Sequence, residues 1–230
     1  MDYSSLFLAL LMSIIIISLF YYPSIRVGYN YADEGYLYLG SLCLFKKLVP
    51  IRDFRAYDPG RYYWCVLWMK IITNNIMTLR FAMSLVMISS LTLFAWLLFI
   101  ATQQWPIIFI ATLISFVWLK PYFKAFDIFF SIFASLTAFM IIYFSSVFVY
   151  FVAGIIVGSA MFFGLNLALY VGLTTVIAIS ISLLTSVNEI DLIVIPLGIT
   201  GLGLGLSPSI IMLIKYHGYF RTIGIKKSKL

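Results

Sequence analysis

The sequence predicts an all-α fold, a polytopic transmembrane bundle of about seven spans. Hydrophobic residues make up 63% of the chain and charged residues 10%, whereas soluble proteins carry about 25% charged residues. A spanning helix needs about 20 mostly apolar residues, because the hydrocarbon core is about 30 Å thick and holds no water for backbone groups. The charges that exist are clustered. Ten lie between Arg26 and Arg61, and none lies in residues 128–188.

We expect one membrane domain over residues 1–230, divided into four segments. Residues 6–22 form the first span. We expect this span to be retained, because no basic residue precedes it and no small-residue cleavage site follows it. Residues 23–76 form a polar segment, here called the head loop. Residues 77–214 form the helical bundle, and residues 215–230 form a basic tail.

Two short helices are predicted inside the head loop, at about residues 34–47 and 61–72. The first is broken by Gly40 and Ser41 and is short enough to lie on the membrane surface. The second carries several aromatic side chains of the kind that mark a membrane interface. We interpret both as juxtamembrane helices, and a full span is the alternative for the second.

The sequence of the bundle alternates between long apolar runs and short polar breaks, as is typical of membrane-spanning helices. Apolar runs at residues 77–100 and 107–119 each predict a span. The charge-free stretch has room for roughly three more at about 20 residues each, with breaks at Ser145–Ser146 and Gly164–Asn166. The last span is predicted at residues 192–214, loosened by several glycines.

Three spaced elements of the head loop carry a resemblance to a known family: Ala32–Tyr36, Val49–Phe54 and Tyr57–Trp64. They resemble the first exoplasmic loop of the bacterial GT-C membrane glycosyltransferases, the group of glycosyltransferase family 39, the protein O-mannosyltransferases and the aminoarabinose transferase. The resemblance covers about residues 1–170 and corresponds to the N-terminal half of that family. Two positions depart from the pattern, since Asp58-Pro59-Gly60 replaces a frequent Pro-Pro pair and Asn166 replaces a frequent lysine.

The resemblance implies an activity. Such enzymes move a sugar, with inversion, from a polyprenyl-phosphate carrier to an acceptor hydroxyl of a lipid, glycan or protein. They work at the outer face of the bacterial inner membrane. Asp33 would correspond to the catalytic carboxylate, with Glu34 beside it. Asp127 would match the acidic residue of the second exoplasmic loop. On this reading Asp33 and Asp127 flank one cavity, about 10 to 15 Å apart.

The chemistry of these residues fits that activity. An inverting displacement needs one carboxylate to take the proton from the attacking hydroxyl. A phosphate leaving group needs only cationic partners, which Arg52, Arg55 and Arg61 could supply as paired donors. The other predicted substrate-binding residues are Tyr57, Asp58, Tyr62 and Trp64. No metal or cofactor is indicated, because Cys43, Cys65 and His217 lack ligand spacing.

Simpler readings remain open at each position. In the alternative reading, Asp33, Glu34 and Asp127 serve merely as helix caps. The arginines could be interfacial anchors, and the aromatic residues could form an interfacial belt. The whole chain could be a non-catalytic relative that binds lipid phosphate or a partner protein, or a small transporter subunit. Transporters usually carry ionisable residues deep in their spans, and the charge-free run argues against that class.

The net charge bears on partners and orientation. The formal charge of +7 resides in loops and tail, which suits membrane lipid head groups, and no nucleic-acid motif is present. The six Lys or Arg residues from Arg26 to Arg61 favour a cytoplasmic location of the head loop by the positive-inside rule. The family resemblance implies the outer face instead, and we follow it because those cations would have a role on the carrier phosphate.

Overall fold

A computed structural model describes residues 3–23, 32–50, 52–56, 58–118, 124–144, 146–185 and 194–215. These residues form nine α-helices and no strand. The first helix continues into a π-helical turn, Ile17–Tyr21. The helices are α1 (Tyr3–Ile16), α2 (Asp33–Phe45), α3 (Pro59–Ile71), α4 (Ile76–Thr102), α5 (Trp105–Trp118), α6 (Ala125–Phe144), α7 (Val147–Phe163), α8 (Leu165–Thr185) and α9 (Val194–Lys215).

Five helices are long and apolar enough to cross a membrane, as expected of an integral membrane protein. They are Ser4–Tyr21, Ile76–Thr102, Ala125–Phe144, Leu165–Leu184 and Ile195–Met212. Two shorter apolar helices, Trp105–Val117 and Val147–Phe163, complete the apolar part of the described chain. The all-helical prediction and the membrane class are confirmed.

The two short helices predicted in the head loop are present as α2 and α3, and their position at the membrane surface stays a prediction. The second begins at Pro59, two residues earlier than predicted. Proline is well tolerated at the first helical position, because the amide hydrogen it lacks would have no partner within the helix. The Pro59-Gly60 pair therefore starts the helix instead of preceding it.

The chain forms two compact units, and the division falls within α2, α3 and α6. Unit 1 contains Met1–Leu39 and Trp64–Leu136, and unit 2 contains Gly40–Tyr63 and Thr137–Leu230.

In unit 1, helix α1 packs along α4 and α5. Three fully buried residues, Ala9, Ala95 and Ile108, form the centre of this packing. Helix α4 starts where the Asn75 side chain accepts a 2.8 Å hydrogen bond from the Thr78 amide, a side-chain N-cap. It ends at Gln103 in the left-handed conformation (φ 55°), and α5 follows after Gln104.

In unit 2, helices α7 and α9 make the most extensive contact. Their backbones approach so closely that a methyl group on Gly154 would overlap the Gly198 carbonyl oxygen, and one on Gly158 would overlap the Leu202 carbonyl oxygen. Both residue numbers rise by four from one contact to the next, so the two helices run parallel. Small residues permit this approach, as in other membrane helix pairs.

Candidate functional site

The two predicted catalytic carboxylates of the head loop open α2 in unit 1. Asp33 and Glu34 are both half-buried and occupy the first turn, where acidic side chains complement the helix dipole. Arg80 of α4 binds Glu34 through two hydrogen bonds, from Nε to Oε1 at 3.1 Å and from Nη2 to Oε2 at 2.7 Å. The side chains are 9% and 14% exposed. The Glu34 carboxylate is therefore held in a bidentate, largely desolvated ion pair.

Neighbouring groups fix the part of α4 that carries Arg80. The Tyr21 hydroxyl donates a 3.2 Å hydrogen bond to the Arg80 carbonyl oxygen. The Trp64 indole donates one of 2.9 Å to the Ala82 carbonyl oxygen. Trp64 also packs edge-on against Trp68. Trp64, predicted to bind substrate, thus anchors α3 to α4.

Asp127 lies in the first turn of α6 and is half-buried. The Ser131 hydroxyl donates to its backbone carbonyl oxygen at 2.8 Å. Asp127 belongs to unit 1, as do Asp33 and Glu34. The cavity predicted between Asp33 and Asp127 stays a prediction.

In unit 2, residues 49–50 and 52–54 belong to a tight turn that contains the first of the three arginines. The Val49 amide donates to Asp53 Oδ2 at 2.8 Å, and the Asp53 amide donates to the Val49 carbonyl oxygen at 2.9 Å. Arg52 adds two hydrogen bonds of 2.8 Å to the same carboxylate. The hydrogen bonds from the Arg52 side chain and the Val49 amide lower the pKa of Asp53 to about 2, so this carboxylate is ionised at neutral pH.

Asp58 and Arg61 lie at the corner between α7 and α8. Arg61 Nε contacts Asp58 Oδ2 at 3.2 Å and donates a 3.4 Å hydrogen bond to the Phe163 carbonyl oxygen at the end of α7. A methyl group on Gly164 would lie 3.2 Å from Asp58 Oδ1, which places that carboxylate beside the start of α8. The cation is at a helix C-terminus and the anion at a helix N-terminus, so both complement the helix dipoles.

Tyr62 joins the remaining head-loop elements of unit 2. Its ring lies against Gly40 of α2, where a side chain would overlap it, and packs edge-on against Phe54 at 5.9 Å between centroids. The adjacent Tyr63 ring packs on Phe162 of α7. The predicted substrate residue Tyr62 is buried and holds α2, the 49–54 turn and α3 together.

No protein-family model, curated protein or solved structure matches this sequence.

The predicted site residues divide between the two units. Unit 1 holds Asp33, Glu34, Trp64 and Asp127, and unit 2 holds Arg52, Arg55, Asp58, Arg61 and Tyr62. Tyr57 and His217 lie outside the described residues. Arg55 is exposed, whereas Cys65 is buried and Cys43 half-buried. Within the described ranges, no group of three or more His, Cys, Asp or Glu side chains could hold a metal ion.

Sequence reasoning missed Arg80 as the partner of Glu34. The signal was present, because an arginine near the start of an apolar span is expensive unless it is paired. The sequence does not select the partner, because Asp58 and Asp53 lie closer to Arg80 along the chain than Glu34 does.

Proposed function

We propose that this protein is an inverting membrane glycosyltransferase that uses a polyprenyl-phosphate sugar donor and an acceptor hydroxyl. The head-loop elements that resemble the GT-C family motivate the proposal. One structural observation carries its chemical detail. The resemblance assigns proton transfer to Asp33, and in support of that assignment Arg80 engages both oxygens of the neighbouring Glu34.

In the proposed reaction the acceptor oxygen attacks the anomeric carbon, and the bond from that carbon to the phosphate oxygen breaks. Asp33 takes the acceptor proton, and the leaving group is the polyprenyl phosphate. A base in this role contributes about 10² to 10⁴ in rate. Contact of the carrier phosphate with Arg52, Arg55 or Arg61 remains a prediction from the chemistry of these residues, and a site role for Asp127 remains a prediction of the resemblance.

Seven spans are part of the proposal, with α5 and α7 added to the five longer helices. Helix α5 follows α4 after a two-residue turn and packs on both α1 and α4. Helix α7 runs parallel to α9, a candidate span, in close backbone contact. At 1.5 Å per residue these helices are about 21 to 26 Å long, which a locally thinned bilayer can accommodate.

The experiment compares wild type and Asp33→Asn in proteoliposomes with a panel of polyprenyl-phosphate hexoses and pentoses. Asparagine keeps the size of the side chain and most hydrogen bonds but removes the base. We expect turnover to fall by about 10² to 10⁴, with unchanged membrane insertion. Lys70→Gln, an exposed charge change on α3, is the control and should keep full turnover.

Full activity in Asp33→Asn would remove this residue from the mechanism. Absence of turnover by wild type with every donor of the panel would favour the non-catalytic, lipid-binding alternative.

A second experiment tests the face of the membrane. Because α7 and α9 are parallel, the head-loop residues held at the end of α7 and the last turn of α9 are proposed to share one face. Leu48→Cys and Ile214→Cys, both at exposed positions, are labelled in intact cells with an impermeant maleimide in a Cys43→Ser background.

Labelling of both positions from outside supports the exoplasmic site. Labelling of both only after permeabilisation would place the head loop in the cytoplasm and overturn the outer-face assignment. Labelling of one position alone would contradict the parallel crossing of α7 and α9.

A further inference from the structure

We propose that the exposed basic side chains between residues 46 and 55 form a docking surface for anionic phospholipid head groups. The cations of this segment are Lys46, Lys47, Arg52 and Arg55, and all four are exposed. They are here called the basic surface. The only acidic residue in the segment is Asp53, which Arg52 already binds through two hydrogen bonds. With four cations and one anion, the segment has a net charge of +3.

Backbone hydrogen bonds hold Lys46, Lys47 and Leu48 at the end of α2. The Leu48 amide donates to the Cys43 carbonyl oxygen at 3.0 Å, and the Lys47 amide donates to that of Leu44 at 2.9 Å. Lys47 is left-handed (φ 67°), so α2 ends in a Schellman motif without the usual glycine. The two hydrogen bonds between Val49 and Asp53 close the turn that follows. Lys46 and Lys47 are thus fixed next to the Arg52 turn.

Buried residues attach the segment to unit 2. Val49, Pro50 and Ala56 are buried, and Phe54 packs on Tyr62. Apolar side chains therefore point into the protein while the basic side chains point outward. Leu48, between Lys47 and Val49, is 39% exposed and is suited to the boundary between head groups and acyl chains.

The depth of the segment points to the membrane as the partner. The segment is linked to the end of α7 through α3. Phe54 packs on Tyr62 of α3, and Arg61 of the same helix donates a hydrogen bond to the Phe163 carbonyl oxygen at the end of α7. The next helix, α8, is a candidate span that begins at Leu165. A turn before a span lies at the bilayer surface, because unpaired backbone groups are not tolerated in hydrocarbon. The basic surface is connected to that turn, so phospholipid head groups are the nearest anions.

The expected size of the preference for anionic lipid follows from membrane electrostatics. Each Lys or Arg near an anionic bilayer strengthens binding by about fivefold. Removing three cations should therefore reduce the preference for anionic lipid by at least about tenfold, and by up to about a hundredfold if the contributions add. The effect should weaken at high salt, where exposed charges are screened.

The test measures lipid binding to the intact detergent-solubilised chain by native mass spectrometry. The lipids are dioleoylphosphatidylglycerol and dioleoylphosphatidylcholine, which share acyl chains and differ in charge. The test variant is Lys46→Gln/Lys47→Gln/Arg55→Gln, which leaves the Arg52–Asp53 contact intact. The control is Lys70→Gln/Lys124→Gln, at two exposed lysines outside the segment. A charge-conserving variant, Lys46→Arg/Lys47→Arg/Arg55→Lys, separates loss of charge from loss of fold.

We expect wild type, the control and the charge-conserving variant to prefer phosphatidylglycerol, and the Gln variant to lose that preference at least tenfold. An unchanged preference in the Gln variant, an equal loss in the control, or a loss in the charge-conserving variant would overturn the proposal. So would displacement of all bound phosphatidylglycerol by one equivalent of polyprenyl phosphate, because that result would indicate a single carrier site instead of a lipid surface.

Discussion

Arg80 binds Glu34 with both arms of its guanidinium, at 3.1 and 2.7 Å, across 46 residues of sequence. The pair fixes the first turn of α2 against the start of α4. It also explains how an arginine is accommodated on an otherwise apolar helix.

The effects of substituting Arg80 and Glu34 on the free energy of unfolding should be strongly coupled. Arg80→Met leaves the Glu34 carboxylate without its bidentate partner and should lower the free energy of unfolding by about 3 kcal/mol. Glu34→Gln should be destabilising for the same reason. The double variant should lose less than the sum of the two, because neither charge is left behind. SDS-titrated unfolding in mixed micelles measures all three, and strict additivity would contradict a direct interaction.

The glycine contact between α7 and α9 predicts that two glycines of α9 differ in their tolerance of alanine. A methyl group on Gly201 would overlap the Phe151 carbonyl oxygen, whereas one on Gly203 meets no atom within 4 Å. Gly201→Ala should therefore destabilise the protein by about 1 to 3 kcal/mol. Gly203→Ala should be neutral or stabilising by up to about 1 kcal/mol, since alanine favours the helix. The same unfolding assay compares them, and similar values for both would refute the close packing.

Two buried tyrosines predict opposite effects of losing a hydroxyl. Among the described residues, the buried Tyr150 hydroxyl has no hydrogen-bond partner, whereas the buried Tyr21 hydroxyl donates to the Arg80 carbonyl oxygen. Tyr150→Phe should preserve or raise the free energy of unfolding, because an unsatisfied polar atom is removed. Tyr21→Phe should lower it by about 1 kcal/mol. A marked loss of stability in Tyr150→Phe would show that its hydroxyl has a partner.

The hydrogen bonds to Asp53 predict a lowered pKa for its carboxyl group, which can be measured. Its folded-state pKa of about 2 lies below the ordinary value of 3.8, so the stabilisation from its hydrogen bonds is present above pH 3.8. It is lost as the pH falls towards 2. The Arg52 hydrogen bond is the largest cause, so Arg52→Gln should raise the pKa of Asp53 towards 3.8. Arg55→Gln is the control and should leave it near 2. Carboxyl ¹³C NMR of aspartate-labelled protein gives the values, and equal shifts in both variants would exclude the specific Arg52 contact.

The sequence by itself determined the membrane class and the approximate helix positions, because both depend on local composition and on the length of apolar runs. The breaks at Ser145–Ser146 and Gly164–Asn166 coincide with the ends of α6, α7 and the start of α8. The helix that starts at Pro59 was predicted within two residues. The catalytic and orientation assignments came from the resemblance, donor binding by the arginines came from their chemistry, and all of them remain predictions.

Only the tertiary structure decided which charges pair and which helices touch. Glu34 binds Arg80, and Arg61 donates to a carbonyl oxygen 102 residues away. Helix α7 packs parallel to α9, although α8 lies between them in the sequence. Local sequence contains no distance information between such partners. A charge near a membrane surface has several partners of suitable sign, and the packing of the helices selects one of them.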